Sequence, residues 1–565
     1  MKRILAVATI ALSLAGCDAA VLSGGSDDAG LDIPEIADGD ISEKTMVDLT
    51  RELSSDEFEG RMPGTEGGRM TIELLKERFE AAGLEPGNNG SWTQDVPLVE
   101  ITGSDFAPLT ITGGDGDGMA FEYGKDWVGV SYRETPRTRI NGAELVFVGY
   151  GINAPEKGWN DYEGLDMEGK IAVILVNDPD FGSDTLEGPF DGKAMTYYGR
   201  WTYKYEEAAR QGAAGALIIH ETEPASYGWN VVESSWSGPQ AYPQRGENAP
   251  PTTRMNGWIQ NSVAEKIVDA AGYDLDELKE AARGEDFTGV RLGLDASTSF
   301  DNESREYMSQ NVIGILPGAE RPDEYVLYTA HWDHLGRCTP AEDGDDICNG
   351  AVDNATGTAA LVALAEAQVK AGAADRSIVF LAVTAEEQGL LGSTYYAQNP
   401  VFPLDQTVGG VNMDAFLIAG PARDVTVVGP GKSQLDQFLE AALEADGRVS
   451  TPNPNPEAGY YYRSDHFPFA KQGVPMLYID GGEDLVEGGS EAGAALSKDY
   501  RDNRYHGPKD EFDEEWDWSG VMADLQLYYR LGRMMAMSTS WPNWVEGDEF
   551  RSIRDESCAA TNEGC

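Results

Sequence analysis

The sequence predicts an α/β protein built on a mostly parallel sheet with helices on both faces. From about residue 311, strand-like and helical segments alternate, and they include "EYVLYTAH", "ATGTAALVALAEAQVKAG", "SIVFLAVT", "TVGGVNMDAF" and "GVPMLYID". The strand-like segments are rich in β-branched and aromatic residues, which is typical of buried strands. Regular alternation of strands and helices favours parallel pairing, with helices covering both faces of the sheet.

The chain has 565 residues, so more than one domain is expected. Between about residues 140 and 290 the pattern changes: "AELVFVGYGI" and "GKIAVILVNDP" predict strands, and "YKYEEAARQGAAGALIIH" predicts helix, turn and strand. We therefore expect an inserted, β-rich α+β domain over residues 136–295. The main domain then has two parts, 43–135 and 296–545, and a surface tail follows over 546–565.

The first 17 residues, "MKRILAVATIALSLAGC", have a basic start, a short apolar stretch and small residues before Cys17, which predicts an export signal. The ending "LAGC" resembles the lipobox of bacterial lipoproteins, in which Cys17 is lipidated; an ordinary signal peptide is the alternative. Residues 18–42 are small and acidic, which favours a flexible tether. We expect an exported protein, periplasmic or at the cell surface, that touches a bacterial membrane only through its lipid.

The charge balance restricts the possible partners of the chain. With 97 Asp and Glu against 42 Lys and Arg, the formal net charge is -55. Such a surface repels nucleic acid and anionic lipid, and no basic stripe offsets it. We therefore expect no nucleic-acid partner, and we interpret most of these acids as a solvated surface.

Four cysteines remain once the proposed signal is set aside, and an even number in an exported protein suggests disulfides. The pairs that would close short loops are Cys338–Cys348 and Cys558–Cys565. Other connectivities stay open, because the sequence alone does not decide between them.

Polar side chains collect at predicted strand ends, where sites form in open α/β sheets. Their types are histidine and carboxylate, and four of the five histidines of the chain come after residue 330. They are His331 and Asp333 after one strand, Asp353 before an apolar helix, Glu386 and Glu387 after the next strand, Asp414 after another, and His506 later in the chain.

Two histidines and three carboxylates suit a pair of divalent cations that share one carboxylate. Imidazole and carboxylate without thiolate favour zinc, with manganese or cobalt as possible substitutes. The remaining glutamate of the "EE" pair is then available as a general base. In extended chain, residues two apart point the same way, so Asp333 is expected to accept a hydrogen bond from the ring of His331.

In order and spacing these residues resemble the M28 family of zinc peptidases, the aminopeptidase and glutamate-carboxypeptidase group. The family pattern runs H-x-D, D-x-x-x-G, E-E, a strand-end D and a late H, and the residues above meet it with Gly357 as its glycine. "GRMPGTEGG" and "RSDHFPFAKQGVPMLYID" are also typical of the family. Residues 140–290 resemble, more weakly, a protease-associated domain. The resemblance spares the tether and the tail, and it implies a zinc-exopeptidase fold.

The resemblance also implies a role for each residue. Two zinc ions would be bound, one by His331 and Asp414 and the other by Glu387 and His506, with Asp353 bridging. Glu386 would take a proton from water and return it to the leaving amine.

The stretch "GYYYRSDHFPF" would lie near the substrate. Candidate substrate residues are Tyr461, Tyr462, Arg463 and His466, and which of the three tyrosines, including Tyr460, faces the site stays open.

An aminopeptidase acting on peptides is the leading interpretation, since a free ammonium is attracted to acidic groups. A carboxypeptidase of the glutamate-carboxypeptidase type is the alternative, with Arg463 as the candidate that grips the terminal carboxylate. A glutaminyl cyclase and a non-catalytic binding protein are weaker alternatives. Metal content separates them, since we expect about two ions in the peptidase and about one in the cyclase, while a binding protein need hold none.

Overall fold

The computed structural model describes residues 30–114, 118–246, 249–341 and 344–561. The strands are β1 (Glu85–Pro86), β2 (Thr93–Ser104), β3 (Leu109–Gly113), β4 (Met119–Phe121), β5 (Trp127–Val130), β6 (Arg137–Phe147), β7 (Asn153–Ala154), β8 (Trp159–Asn160), β9 (Ile171–Leu175), β10 (Gly215–His220), β11 (Pro239–Pro243), β12 (Met255–Gln260), β13 (Val290–Leu316), β14 (Arg321–His331), β15 (Gly336–Arg337), β16 (Ile347–Cys348), β17 (Arg376–Val383), β18 (Thr407–Asn412), β19 (Asp424–Val427), β20 (Val449–Pro452) and β21 (Met476–Gly481).

The helices are α1 (Glu43–Leu53), α2 (Glu66–Ala82), α3 (Trp201–Arg210), α4 (Thr222–Ala225), α5 (Trp229–Ser235), α6 (Asn261–Ala270), α7 (Leu275–Ala281), α8 (Gly357–Ala371), α9 (Leu391–Gln398), α10 (Leu435–Asp446), α11 (His466–Ala470), α12 (Gly489–Asn503), α13 (Ser519–Met537) and α14 (Arg551–Thr561). Within the described residues, no helix combines the length and apolar character that crossing a membrane requires.

The main domain has the predicted sheet. β14 pairs in parallel with β17 on one side and with β18 on the other, and β18 pairs in parallel with β21. Antiparallel strands flank this parallel centre, β13 beside β17 and β19 beside β21. The sheet is therefore mixed, with its parallel part in the middle.

Both faces of this sheet are buried, as predicted. Along β14, Val326, Tyr328 and Ala330 join the core under α1, α2, α8 and α13. Tyr325 and Leu327, which alternate with them, join a separate core that includes Tyr396 of α9 and Phe469 of α11. Successive side chains of a strand point to opposite faces, so one apolar strand supplies two cores.

A second unit with its own cores lies between the two parts of the main domain. In it, β6, β9, β10 and β12 run parallel in that order, and β5 pairs antiparallel with β12. The long strand β13 begins beside β6 and β3 in this unit, passes along β2, and ends beside β17 in the main sheet. The chain thus returns from the inserted unit along one continuous strand.

The inserted unit begins earlier than the predicted boundary at residue 136. Leu109, Ile111, Phe121 and Trp127 already belong to its core. Their strands are short and carry few of the long apolar runs that mark the rest of the unit, so the sequence pattern did not separate them from the main domain.

Residues 30–42 are not a free tether. Leu31, Ile33 and Ile36 pack against the core of the main domain. The backbone of Gly39 exchanges two hydrogen bonds of 2.9 Å with the side-chain amide of Gln526 on α13. The apolar residues spaced along this acidic segment explain why it docks. The predictions for residues 1–29, including Cys17 and the signal, lie outside the described residues.

The C-terminal segment is also docked, and the prediction of a surface tail is wrong for its described part. Arg554 of α14 is fully buried. Its guanidinium donates to the carbonyls of Thr407 at 2.9 Å and Val408 at 3.1 Å. Trp544 and Phe550 fill a small core just before and at the start of this segment.

Candidate metal centre and catalytic cavity

The predicted ligand residues meet at one edge of the main sheet. His331 ends β14, Glu386 and Glu387 follow β17, and Asp414 follows β18. These three strands run parallel, so their carboxyl ends lie side by side. Asp353 precedes α8, and His506 comes just after α12.

Asp353 lies between two histidine–carboxylate groups. Its Oδ1 is 3.3 Å from Nε2 of His331, which is 3.1 Å from Oδ1 of Asp414. Its Oδ2 is 3.3 Å from Nε2 of His506, which is 3.0 Å from Oε2 of Glu387. One carboxylate therefore serves two adjacent groups of potential ligands, in the arrangement expected of a bridging ligand.

A buried hydrogen-bond network positions Asp353. The backbone N–H groups of Val352 and Asp353 donate to the carboxylate of Asp510 at 2.9 and 3.0 Å. Tyr500 donates its hydroxyl to the same carboxylate at 3.1 Å. Asn354 donates to the carbonyl of Met413, one residue before Asp414, at 3.1 Å. A hydrogen bond therefore links the segments that carry Asp353 and Asp414.

Arg61, from the "GRMPGTEGG" segment, binds the backbone of the segments that carry His331 and Asp353. It is fully buried, and its guanidinium donates to the carbonyls of Trp332 at 3.0 Å, Asn349 at 2.7 Å and Gly350 at 2.9 Å. Burial lowers the pKa of Arg61 to about 10, so it stays charged at neutral pH. The sequence marked this segment as a turn, but it did not indicate that its arginine reaches the site.

Three non-glycine residues at the site adopt left-handed backbone conformations. Ala385 precedes Glu386 with φ 55°, Ala415 follows Asp414 with φ 55°, and His506 itself has φ 57°. Such conformations are unfavourable for residues with a Cβ and persist where the surroundings impose them. Here they accompany three of the residues predicted to act.

Asp333 contacts the backbone of Glu386 rather than the ring of His331. Nδ1 of His331 is 3.2 Å from the backbone oxygen of Asp333 but 3.9 Å from its carboxylate. That carboxylate accepts a hydrogen bond from the N–H of Glu386 at 3.1 Å. The predicted ring–carboxylate bond is therefore corrected: the main-chain carbonyl faces the imidazole, and Asp333 positions the Glu386 loop.

Two further residues support the cluster and were not assigned from the sequence. Ser464 donates to Oδ2 of Asp414 at 2.6 Å and accepts from Asn412 at 2.7 Å. Nδ1 of the buried His334 lies 2.5 Å from Oε1 of Glu387. The sequence gives His334 no ligand role, because the five predicted ligands form a complete set without it.

The cluster holds more negative than positive charge. Burial raises the pKa of Asp333 to about 6 and that of Asp465 to about 7, and it raises the pKa of Glu386 well above its usual range. Burial would lower the pKa of His506, but its hydrogen bonds to Asp353 and Glu387 raise it to about 10. Protons on these four groups would offset part of the negative charge of the cluster.

These residues fit a metal centre. Ligand atoms of His331, Asp353 and Asp414 lie within 4.8 Å of one another, as do those of His334, Asp353 and Glu387. The donors are imidazole nitrogens and carboxylate oxygens, a set that suits zinc. The second group contains His334, whereas the sequence predicts His506 as the metal ligand at this position. Both histidines contact Glu387.

A cavity of about 380 Å³ opens over this cluster. We call it the catalytic cavity. Five carboxylates face it against two guanidiniums: Asp353, Glu386, Asp414, Asp480 and Glu483 against Arg463 and Arg501. Tyr505 also lines it, with its ring stacked 3.8 Å from that of His506.

The four predicted substrate residues divide between different places. Arg463 lines the catalytic cavity. Tyr461 and Tyr462 line a neighbouring cavity, and Tyr460 lines both. His466 is fully buried beside Tyr461, with ring centroids 4.6 Å apart. The sequence prediction placed all four at the substrate site, but of the four only Arg463 lines the catalytic cavity.

The disulfide Cys338–Cys348 is present, with an S–S distance of 2.05 Å. It closes the loop between the segments that carry His331 and Asp353. The pairing Cys558–Cys565 stays a prediction, because Cys565 lies outside the described residues.

Residues 311–530 match the sequence profile of peptidase family M28. This segment is similar to the peptidases of that family. The glutamate carboxypeptidase 2 homolog of Caenorhabditis elegans is 25% identical over 422 residues, which cover 70% of this chain and 46% of that protein. Aminopeptidase YwaD of Bacillus subtilis (strain 168) is 28% identical over 324 residues, 57% of this chain and 55% of that protein. The chain thus spans about half the length of these curated relatives.

Among solved structures, the aminopeptidase from Aneurinibacillus sp. strain AM-1 matches with a TM-score of 0.45 and 19% identity. The match covers 89% of this chain and 95% of that one.

Proposed function

We propose that this M28 protein is a zinc-dependent exopeptidase that removes residues from the amino end of peptides. The observation that carries the proposal is Asp353, whose two oxygens face His331 on one side and His506 on the other beside Glu386 and Glu387. The relatives named aminopeptidase and glutamate carboxypeptidase support the hydrolase class.

Two zinc ions would be held in the cluster, one by His331 and Asp414 and the other by Glu387 and His506, with Asp353 shared. When bound, zinc polarises a carbonyl and lowers the pKa of water. Zinc also supplies the positive charge that the carboxylate excess requires.

The residues of the chain then divide the work. Glu386 faces the cavity and accepts the proton of the attacking water, then returns it to the leaving amine. Asp333 fixes the backbone of Glu386, and Ser464 fixes the carboxylate of Asp414. Only Glu386 moves a proton in this scheme. Asp333 and Ser464 hold Glu386 and Asp414, respectively, in place.

The acidic wall of the cavity supports the preference for the amino end. Asp480 and Glu483 face the cavity beyond the cluster, where they would attract a free N-terminal ammonium. Asp480 is partly buried, and its burial raises its pKa to about 7. An ammonium beside it would favour its charged form.

A carboxypeptidase is the second candidate, and two arginines favour it. Arg463 lines the catalytic cavity, and among the described residues it has no carboxylate partner. Arg200 of the inserted unit is 8% exposed, and its Nε has no hydrogen-bond partner. Burial and then the charge of Arg463 lower the pKa of Arg200 to about 10. The two guanidiniums would suit a terminal carboxylate.

A peptide with a free N-terminus and its acetylated twin separate the two candidates. Mass spectrometry follows the products with and without a chelator. We expect only the free peptide to shorten, stepwise from its N-terminus, and the chelator to stop the reaction. Loss of residues from the C-terminus of both peptides would establish the carboxypeptidase instead, and no change in either would refute both.

A further inference from the structure

A second cavity lies beside the catalytic one, at the junction of the inserted unit and the main domain. Its volume is about 600 Å³. One wall comes from residues 186–195 of the inserted unit, and the others come from residues 428–432, 452–462 and 545–549 of the main domain. We call it the side cavity. The metal centre by itself does not indicate what the side cavity binds.

The side cavity adjoins the catalytic cavity. Asn453, Pro454 and Tyr460 line both and stand between them. Tyr460 is 36% exposed, with the guanidinium of Arg463 5.5 Å from the centre of its ring. A peptide that extends from the metal centre past Tyr460 would therefore reach the side cavity.

Apolar side chains at the rim are unusually exposed. Leu186 of the inserted unit is 57% exposed, and Val545 of the main domain is 39% exposed. Met195 and the prolines of the 452–456 segment also line the cavity. Exposed apolar side chains grouped around a concave surface indicate a binding site rather than a solvated face.

Charge does not decide what this cavity binds. Lys432 is neutralised by Asp548 at 2.9 Å and Glu549 at 3.1 Å. Lys157 and Lys193 on the walls are offset by Asp191 and Glu546 in the same lining. The contrast with the carboxylate-rich catalytic cavity means that recognition here rests on apolar contact.

The walls are joined across the junction. The N–H of Met195 donates to the carbonyl of Pro456 at 3.2 Å. Nearby, the ring of Tyr197 packs against Phe467 with centroids 5.3 Å apart, and Lys471 pairs with Glu206 at 2.7 Å. The side cavity is therefore formed before any ligand arrives, which reduces the ordering cost of binding.

We propose that the side cavity binds the distal part of a peptide substrate, the residues on the C-terminal side of the one being removed, and that it selects apolar side chains there. This rests on the proposed exopeptidase function with its amino-end preference. Since an extended residue spans about 3.3 Å, a dipeptide reaches only about 7 Å from the metal centre, and a longer peptide would extend further toward the side cavity. The protein is thereby assigned to oligopeptides rather than dipeptides.

Binding to the zinc-loaded Glu386→Gln variant tests the proposal without turnover. The probes are a hexapeptide with a free N-terminus and apolar distal residues, the same hexapeptide with distal serines, and the dipeptide of its first two residues. We expect the apolar hexapeptide to bind most tightly. Adding Leu186→Glu should weaken its binding roughly fivefold, the loss expected when a half-buried leucine contact is removed.

Val449→Glu is the matched control, because Val449 is 59% exposed and lines neither cavity. It makes the same kind of change as Leu186→Glu on a similarly exposed side chain, so it should leave all three affinities unchanged. Val545→Glu in the main-domain wall should reproduce the effect of Leu186→Glu.

Equal affinities for the Leu186→Glu and Val449→Glu proteins, or for the apolar and serine hexapeptides, would overturn the proposal. Failure of the proposed function is distinguishable from this. In that case the wild-type protein would hydrolyse none of the three peptides, or would shorten them from the C-terminus, while the binding comparison would still report on the side cavity.

Discussion

Two of the buried charge clusters in the described part of the chain differ in how they are satisfied. In the inserted unit, Lys204 is fully buried and donates to the carbonyls of Tyr150 at 2.6 Å and Asn177 at 3.0 Å. The nearby Asp178 accepts two hydrogen bonds from Thr196. Asp161 accepts from the N–H of Ile152 and from the indole of Trp159.

The catalytic cluster is not closed in this way. Among the described residues, buried polar atoms without a hydrogen-bond partner include Oδ2 of Asp333, Nε2 of His334 and Oδ2 of Asp465. Buried polar atoms are normally paired, and unpaired ones cluster where a site awaits a ligand. The cluster in the inserted unit contains its own buried cation, Lys204, whereas the catalytic cluster suits a cation from outside.

The largest expected effect is on catalysis. Glu386→Gln should lower kcat on a peptide substrate about 10³-fold, because the amide cannot accept a proton. Zinc content, measured by mass spectrometry, should stay unchanged. The control is Glu440→Gln on the exposed face of α10, which should keep full activity. A Glu386→Gln protein that retained half its activity would contradict the assignment of the base.

Zinc binding at the catalytic cluster should stabilise the folded protein. At a free zinc concentration about a thousand times the Kd, the folded state should gain about 4 kcal/mol, seen as a rise in Tm. Asp353→Asn should abolish most of this gain, because Asp353 belongs to both ligand groups. A zinc response that survived Asp353→Asn would place the metal elsewhere.

The cluster around Lys204 in the inserted unit should show the opposite pattern, a loss of stability without an effect on zinc binding. Lys204→Met should lower the free energy of unfolding by about 3 kcal/mol, because it leaves buried carboxylates without their cation. It should not alter zinc content or the zinc-induced rise in Tm. Urea unfolding measures the loss, with Lys266→Met on the exposed side of α6 as control. A loss of zinc in Lys204→Met would show that the clusters are not independent.

The smallest expected effect is a pH dependence in the cluster around Lys204. Burial raises the pKa of Asp161 to about 7 from its usual 3.8, so its folded form favours the protonated state. Its contribution to stability is therefore full below pH 3.8 and is lost as the pH rises through 7.

Asp161→Asn removes this titration. Its stability relative to the wild type should rise by on the order of 2 kcal/mol between pH 5 and pH 7, whatever the constant cost of the substitution. Urea unfolding at several pH values measures the difference. A relative stability that did not change with pH would refute the raised pKa.

Much of the fold followed from local patterns. Apolar runs with β-branched residues predicted β14, β17, β18 and β21, and their alternation with helices predicted the parallel pairing. The domain limits were less accurate, because the short strands at the start of the inserted unit carry too few residues to show a period. Residues 30–42 and α14 were misjudged because docking depends on a partner surface that a linear pattern does not contain.

The site divided in the same way. His331, Asp353, Glu387, Asp414 and His506 were predicted as ligands from residue type and order, and the structure brings them together. Strand ends and helix starts can be located along the chain, which made this prediction possible. Arg61 was missed, because its partners are backbone carbonyls that are distant in sequence.

The sequence by itself determined which side chains reach one edge of the sheet, since strand ends fix the positions of their neighbours. Only the tertiary structure decided which of them carry unbalanced charge. Lys204 and Arg200 stand four residues apart, yet one is enclosed by carbonyls and carboxylates and the other has its pKa lowered by burial and by the charge of Arg463. The electrostatic state of a buried group depends on the atoms around it in space, and these come from distant parts of the chain.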